Sequence, residues 1–278
     1  MFEPYPPAMP RLRLTAALLA LAVAATAAAA PGAEAPRTAV QTDPPRWTPP
    51  PRPTWHWQLS GRLDTTARAR IYDIDLFDHG ADVVRRLRAR GRRVVCYTSV
   101  GTAERGRADV ARLPRRVVGK PLPDWPAERW LDVRRLDVLG PWIERRIDLC
   151  ARKGFDAVEP DNVDAYANDS GFPLSGADQL RFNRFVARAA HVRGLAVALK
   201  NDLDQVAALE PDFDFAVVEQ CFEYDECERL APFVAAGKPV LVAEYGLPRS
   251  AFCREARAAG LMAVRKRLAL GAWRRPCW

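Results

Sequence analysis

The sequence predicts an α/β fold in which a closed (β/α)8 TIM barrel forms a single domain. Short apolar strands alternate with helix-like segments along most of the chain, which is typical of a parallel sheet covered by helices. Eight such strands can be counted, and this number favours a closed barrel over an open doubly wound sheet. No Gly-rich phosphate loop follows the first strand, which argues further against a dinucleotide-binding sheet.

The residues before the predicted barrel form two segments, one apolar and one rich in proline. Two arginines precede an apolar stretch at 14–25, and small residues follow it, which is the pattern of a secretory signal; a buried alanine-rich helix is the alternative. The apolar stretch is too short to span a bilayer, so no stable membrane insertion is expected. A proline-rich segment typical of an extended linker comes next. The predicted boundaries are 1–30 for the signal, 31–54 for the linker and 55–278 for the barrel of a secreted or extracytoplasmic protein.

The eight predicted strands are short and apolar, and many of their residues are β-branched. The helix-like segments between most of them end in Gly or Gly-Lys, a common helix stop. The predicted strands lie at 55–60, 70–75, 94–99, 156–161, 195–201, 215–221, 240–245 and 261–266.

Polar side chains stand at the ends of most of these strands. The carboxyl ends of barrel strands meet on one face, which carries the active site in TIM-barrel enzymes, so these side chains are expected to share a cleft. Crowded carboxylates there indicate a site for cationic or polyhydroxylated ligands and at least one raised pKa. The candidates are Asp73, Asp75, Tyr97, Glu159, Asp161, Asn162, Lys200, Asn201, Glu219, Glu244 and Tyr245, with Trp57 as a surface on which a sugar could stack.

Several of these residues also have a purely structural interpretation. Asp73 and Asp75 are suited to cap a turn or to pair with arginines, and Trp57 fits the core equally well. Lys200 has the strand-end position of a Schiff-base lysine, but a salt bridge to a neighbouring carboxylate is favoured. Asp164 resembles a helix N-cap rather than a catalyst.

The six cysteines form an even set after a predicted secretory signal, which favours three disulfides. Cys221 and Cys227 are suited to close a short loop, and Cys253 and Cys277 to fix the C-terminus, which leaves Cys96 and Cys150 for each other. No Cys-x-x-Cys motif occurs and the chain has three histidines, so zinc is disfavoured. No metal and no cofactor is predicted.

The formal net charge of +8 raises the question of an anionic partner. The arginines are scattered through amphipathic helices without interleaved aromatic residues, which favours solvated helix faces. We therefore predict no nucleic-acid partner, and a monomer.

Nine blocks, in the same order, resemble glycoside hydrolase family 114. They include "YDIDLFD", "CYTSVGTAERGRAD", "KGFDAVEPDNVDAY", "LKNDLDQ" and "FAVVEQCFEYDEC". The likeness runs from about Trp55 to Tyr245 and more weakly to Cys277. The resemblance implies a TIM-barrel endo-α-1,4-polygalactosaminidase whose partner is a cationic or partly acetylated galactosamine polysaccharide.

The resemblance also implies a pair of catalytic acidic residues, which fall by motif on Asp161 and Glu219. A glycosidase needs one carboxylic acid to protonate the leaving oxygen and one carboxylate to attack or to activate water. The sequence favours Glu219 as acid/base, because an apolar run precedes it, and Asp161 as nucleophile or electrostatic partner, because Asn162 can donate a hydrogen bond to it. Two alternatives stay open: a carbohydrate-binding barrel without activity, and a metal-dependent hydrolase whose carboxylates hold Mg²⁺ or Ca²⁺.

Overall fold

The computed structural model describes residues 45–278, so the predicted signal and most of the predicted linker lie outside the described residues. Eight parallel strands follow one another around a curled sheet in chain order. All eight predicted strands are confirmed, to within two residues at each end. The strands are β1 (Trp55–Gln58), β2 (Ile71–Asp75), β3 (Arg93–Ser99), β4 (Thr102–Glu104), β5 (Val118–Pro121), β6 (Glu128–Leu131), β7 (Ala157–Asp161), β8 (Ala196–Lys200), β9 (Phe215–Glu219), β10 (Val240–Glu244), β11 (Met262–Arg265) and β12 (Arg275–Pro276).

The parallel strands are β1 to β3 and β7 to β11, and each pairs with the next in this order. At the seam between β1 and β11, side-chain and loop hydrogen bonds join the two edges. The Trp55 indole N–H donates to the Met262 carbonyl over 2.8 Å, and the Leu59 amide donates to the Leu270 carbonyl over 2.9 Å. The short strand β12 pairs antiparallel with β11 beside this seam.

The helices are α1 (Ala81–Ala89), α2 (Leu136–Lys153), α3 (Gly176–His191), α4 (Val206–Leu209), α5 (Ala231–Ala235) and α6 (Arg249–Ala258). Their buried faces pack on the outside of the sheet and form the larger hydrophobic cluster. The long helix α3 begins at a capping box in which Ser175 and Asp178 each bond the other's backbone N–H. Turns rather than a helix connect β1 to β2.

The interior of the barrel is filled by a second hydrophobic cluster, which includes Trp55, Val95, Phe215 and Leu241. This is the packed core expected of a TIM barrel. Trp47, which the sequence assigns to the linker, packs against Phe215 at the amino end of the strands, with ring centroids 6.5 Å apart. The segment just before β1 therefore contributes to the floor of the barrel.

A three-stranded antiparallel sheet in the order β4, β6, β5 is inserted between β3 and α2. Two arginines bind it to the barrel. The almost fully buried Arg146 on α2 pairs with Glu104 at 3.0 Å and with Asp109 at 2.7 Å. Arg107 pairs with Asp75 at 2.7 Å and with Glu104 at 3.2 Å. We call this sheet, with its turns, the insertion (residues 102–131).

Three disulfides join Cys96 to Cys150, Cys221 to Cys227 and Cys253 to Cys277, the pairing considered from the sequence. The first ties β3 to α2 across the larger hydrophobic cluster. The second closes the loop that follows β9, and the third holds the C-terminus on α6. In the part of the chain described by the structure, every helix is too short or too polar to cross a membrane.

Candidate active site

The carboxyl ends of the parallel strands and the insertion enclose an open cleft of about 480 Å³. Of the predicted site residues, those that line the cleft are Trp57, Asp75, Tyr97, Asp161, Asn162, Lys200, Asn201 and Glu219. Tyr245 reaches Glu219 from the end of β10. Asp73, Glu159 and Glu244 also come from strands that lead to the cleft, but each is completely buried beneath its surface.

Lys200, the last residue of β8, lies at the centre of the cluster and is 2% exposed. Its Nζ is 2.9 Å from an oxygen of Asp161, 3.1 Å from one of Glu219 and 3.2 Å from one of Glu159. Burial alone would lower the pKa of this lysine, but the three carboxylates raise it well above its ordinary value. The structure therefore favours the salt-bridge interpretation of Lys200, because a Schiff-base lysine needs a neutral amine.

Asp161 ends β7 and is held by three donors. The Tyr97 hydroxyl donates to Oδ2 over 2.7 Å, while Lys200 Nζ and the Asn162 backbone N–H donate to Oδ1 over 2.9 and 2.8 Å. Burial raises the pKa of Asp161, but Lys200 and the Tyr97 hydroxyl outweigh it, and the net effect is a pKa below the ordinary value. Asp161 is therefore ionised at neutral pH.

Glu219 ends β9 and accepts hydrogen bonds on both oxygens. Oε1 accepts from the Tyr245 hydroxyl, and Oε2 accepts from the Asn201 amide over 3.5 Å. The side chain of Glu219 is 23% exposed, so it is less desolvated than the apolar run before it suggests. Solvent and ligand in the cleft can reach this carboxyl group directly.

The carboxyl groups of Asp161 and Glu219 face each other across Lys200. Because one oxygen of each lies 2.9 and 3.1 Å from the same nitrogen, these two oxygens can be no farther apart than the sum of the distances, 6.0 Å. Retaining glycosidases have carboxyl groups roughly 5–5.5 Å apart, and inverting enzymes roughly 6.5–9.5 Å. Two carboxyl groups whose nearest oxygens are at most 6.0 Å apart can act on one glycosidic bond.

A second acidic pair, Asp73 and Glu159, lies directly beneath the cleft. The Asp73 carboxyl has no hydrogen-bonding cation of its own, and burial together with the negative charge of Glu159 raises its pKa well above the ordinary range. Burial also raises the pKa of Glu159, although Lys200 opposes this. Burial and the neighbouring Glu159 therefore favour the protonated form of Asp73, beside the buried carboxyl group that lies 3.2 Å from Lys200.

Three predicted ligand-binding residues have other contacts in the structure. Asp75 lines the cleft, but it pairs with Arg107 and accepts hydrogen bonds from two backbone N–H groups of the following turn. It therefore both pairs with an arginine and caps a turn, the two structural roles considered from the sequence. Glu244 accepts from the Phe222 N–H over 2.9 Å and faces the 221–227 loop. Trp57 is 1% exposed and lies 4.9 Å beneath Lys200 Nζ, which favours a core residue with a cation–π contact over an open sugar platform.

The residue after each of three cleft-forming strands adopts a left-handed backbone. These residues are Asn162 (φ 61°), Asn201 (φ 49°) and Gln220 (φ 60°), which directly follow Asp161, Lys200 and Glu219. This conformation costs roughly 1–2 kcal/mol for an L-residue, and least for asparagine. The Asn201 side-chain oxygen accepts the Glu219 backbone N–H over 3.0 Å, which links two of the strand ends.

The sequence analysis missed four carboxyl groups of the cleft, those of Glu104, Asp124, Glu128 and Asp164. Burial raises the pKa of Glu128, on β6 of the insertion, to about 7, and the nearby carboxylates of Asp161 and Glu104 contribute. Burial and the charge of Asp161 raise the pKa of Asp164 to about 6. Asp164 does stand at the N-cap position of the short 3-10 helix that follows, but its side chain makes no capping hydrogen bond there. No sequence signal identified Glu128, because its place in the cleft depends on the insertion.

Within residues 45–278, no three His, Cys, Asp or Glu side chains are arranged to hold a metal ion. The ammonium group of Lys200 already occupies the position between the cleft carboxylates that a divalent cation would require.

The sequence matches the model of the glycoside-hydrolase family GH114 over residues 36–278. Among solved structures, Ega3 of Aspergillus fumigatus, crystallised in complex with galactosamine, is 35% identical with a TM-score of 0.80; the match covers 85% of this chain and 100% of that one. The glycoside hydrolase domain of PelA from Pseudomonas aeruginosa is 14% identical with a TM-score of 0.64 over 80% of this chain and 98% of that domain, which supports the fold. Among proteins with curated descriptions, none matches the sequence.

Proposed function

Since the chain belongs to glycoside-hydrolase family GH114 and is a glycoside hydrolase, we propose that it is a secreted, endo-acting enzyme that cleaves α-1,4-linked galactosamine polymers. The proposal includes partly acetylated polymers of the galactosaminogalactan type. One observation carries it: Asp161 and Glu219 present carboxyl oxygens no more than 6.0 Å apart in an open cleft. The related Ega3 structure, a complex with galactosamine, supports the choice of sugar.

Asp161 is the proposed nucleophile, because its lowered pKa keeps it ionised at neutral pH. In the first step its free electron pair attacks the anomeric carbon, while Glu219 gives its proton to the departing glycosidic oxygen. In the second step Glu219 takes a proton from water, and the hydroxide formed displaces Asp161 from the sugar. The proton taken from water restores the acid form of Glu219, and the product keeps the anomeric configuration of the substrate.

Lys200 is the proposed electrostatic partner of both steps. Before the reaction its ammonium group stabilises the Asp161 carboxylate over 2.9 Å. When Asp161 becomes an ester and Glu219 loses its proton, the negative charge moves to Glu219, which is 3.1 Å from the same ammonium group. One fixed cation thus stabilises the carboxylate charge on either side of the reacting carbon without moving.

The charge of the cleft supports a cationic substrate. Lys200 is a single ammonium group within 3.2 Å of three carboxyl groups, and Glu128 and Asp164 add further acidity to the lining. An ammonium group on the substrate would reduce this imbalance. The net charge of +8 does not prevent binding, because exposed charges beyond about 8 Å are largely screened at physiological salt.

Secretion is proposed from two observations. The predicted signal precedes the barrel, and the described residues contain three disulfides, which persist in oxidising compartments.

The test is cleavage of α-1,4-linked galactosamine polymers of graded acetylation, with the products read by mass spectrometry. We expect oligosaccharide products, with slower cleavage after full N-acetylation. A second arm in the presence of EDTA separates this proposal from metal-dependent hydrolysis, in which activity would be lost.

The catalytic pair is tested by Asp161→Asn and Glu219→Gln. Each variant should fold normally, because the substitution is nearly isosteric, and each should lose about 10²–10⁴-fold or more in kcat. Asp169→Asn is the matched control, since this aspartate is exposed and pairs with Lys120 outside the cleft. If both site variants turned over at the wild-type rate, the assignment of Asp161 and Glu219 as the catalytic pair would be refuted. A wild-type protein that binds the polymers but does not cleave them would indicate a carbohydrate-binding barrel.

A further inference from the structure

One large aromatic side chain in the cleft has no part in the reaction proposed above. Trp125, in the turn between β5 and β6 of the insertion, is 47% exposed and lines the cleft. An indole ring gains more from burial than most side chains, so this degree of exposure at a concave surface points to a ligand that covers it.

The turn that carries Trp125 has little freedom to move. Pro123 and Pro126 flank the "DW" dipeptide and fix two backbone φ angles. Within the turn, the Glu128 N–H donates to the Trp125 carbonyl over 2.8 Å, and the Leu122 N–H donates to the Glu128 carbonyl over 3.0 Å. The backbone that carries the indole is therefore held in place before any ligand arrives, which reduces the entropy lost on binding.

A chain of hydrogen bonds connects this turn to the proposed nucleophile. Glu128 Oε2 accepts from the Thr102 hydroxyl over 2.6 Å and from the Asn162 side-chain amide over 3.3 Å. The backbone N–H of Asn162 in turn donates to Asp161 over 2.8 Å. The position of the turn is therefore fixed relative to the reacting carboxylate.

The chemistry of the turn matches an amino sugar. Asp124 precedes Trp125 and also lines the cleft, so an aromatic face and a carboxylate stand together. An indole face attracts both the C–H face of a pyranose and an ammonium group within about 6 Å of the ring. Asp124 can form an ion pair with the same ammonium group.

We propose that Trp125 and Asp124 form a subsite for a galactosamine unit of the polymer other than the unit that Asp161 attacks. Trp125 supplies the stacking face and Asp124 the counter-charge. The inference rests on the proposed function, since it assigns a further unit of the same substrate to the same cleft.

The experiment compares Trp125→Ala and Trp125→Phe with Trp278→Ala. Trp278 is the matched control, because it is 38% exposed and lines a separate cavity of about 310 Å³ that contains none of the catalytic residues. KM and kcat are measured on the long polymer and on the shortest oligosaccharide that the wild type cleaves. The thermal unfolding of each variant is measured alongside.

We expect Trp125→Ala to raise KM on the long polymer roughly tenfold, with a much smaller effect on kcat, because an aromatic–cation contact of this kind contributes on the order of a factor of ten. Trp125→Phe should retain most of the affinity, and Trp278→Ala should match the wild type. Asp124→Asn should raise KM on the free-amine polymer and leave KM on the fully acetylated polymer unchanged. Wild-type KM for Trp125→Ala on the long polymer, with normal unfolding, would overturn the proposal.

A binding arm separates this inference from the proposed function. Asp161→Asn, alone and combined with Trp125→Ala, is titrated calorimetrically with a galactosamine oligosaccharide. If the wild type shows no turnover but Asp161→Asn binds and the double variant does not, the subsite stands and the proposed reaction fails. If the two variants bind equally, the subsite is refuted whatever the turnover.

Discussion

Replacing Lys200 by methionine removes the one ammonium group that contacts three carboxyl groups of the cleft. Methionine has a similar length and no charge, so the change isolates the electrostatic contribution. At an effective dielectric constant of about 20, two unit charges 2.9 Å apart, the distance between Lys200 and Asp161, interact with about 6 kcal/mol. Water entry and relaxation reduce this figure, and the Tyr97 hydroxyl bond to Asp161 remains. We therefore expect the pKa of Asp161 to rise by at least about one unit, equivalent to about 1.4 kcal/mol.

The assay is the pH dependence of kcat/KM on a galactosamine polymer. Its acidic limb reports the protonation of the nucleophile in the free enzyme. Because Lys200 favours the ionised form of Asp161, its removal must move this limb to higher pH. Lys238→Met is the matched control, since Lys238 pairs with Glu210 at 2.7 Å outside the cleft and is 26% exposed. The control should leave the acidic limb unchanged.

Stability gives a second measurement of the same substitution. Breaking a buried ion pair from one side typically costs about 3–5 kcal/mol, which corresponds to a fall in Tm on the order of 10 °C. The folded-state pKa of Asp161 is lowered and that of Lys200 is raised. The stabilisation by this pair is therefore complete between the unfolded-state pKa values, roughly pH 4 to 10, and is lost below and above that range. The loss of Tm in Lys200→Met should therefore be smaller at pH 2.5 than at pH 7, because part of the stabilisation is already absent there.

An unchanged acidic limb in a folded Lys200→Met variant would refute the reasoning. If the variant does not fold, Tyr97→Phe serves in its place. It removes a 2.7 Å hydrogen bond to Asp161 and should move the limb in the same direction by a smaller amount.

Two further predictions concern the cleft and the disulfides. Burial raises the pKa of Glu128 to about 7 and that of Asp164 to about 6, so both carboxyls gain protons as the pH falls from 7.5 to 5.5. KM for the free-amine polymer should therefore rise over this range, whereas KM for the fully acetylated polymer should change little; equal changes for the two polymers would contradict an electrostatic role. The mature protein should gain six hydrogens in intact mass on reduction, one pair for each disulfide, and six free thiols before reduction would contradict the paired structure.

The eight barrel strands were predictable because they are short and rich in apolar and β-branched residues, as parallel strands buried on both faces are. The three strands of the insertion were missed. They are three or four residues long and contain Gly, Pro and charged residues, so local propensity gives no signal for them. Their stability comes from the contacts of Arg107 and Arg146 with distant carboxylates, which follow from the folded arrangement of the chain.

The candidate site was partly predictable because its central residues follow apolar strand sequences. Asp161, Lys200 and Glu219 end buried strands, and the register of the parallel sheet brings such positions together. The depth of a side chain is set by the packing around it, and sequence alone does not give it. Trp57 is therefore almost fully buried in the wall of the cleft, while Glu128 and Asp164, which the sequence did not place there, also line it.

The contact of Trp47 with the barrel floor bears on where a shortened protein can begin. Trp47 covers the interior residue Phe215, Arg93 stacks on the Trp47 ring at 5.7 Å, and Arg46 pairs with Asp214 at 3.0 Å. A recombinant protein that starts at position 55 would lose all three contacts and expose an aromatic surface at the end of the barrel away from the cleft, where it favours aggregation. Proteolytic trimming should therefore stop before Arg46, and a soluble, crystallisable form should retain this residue and those that follow it.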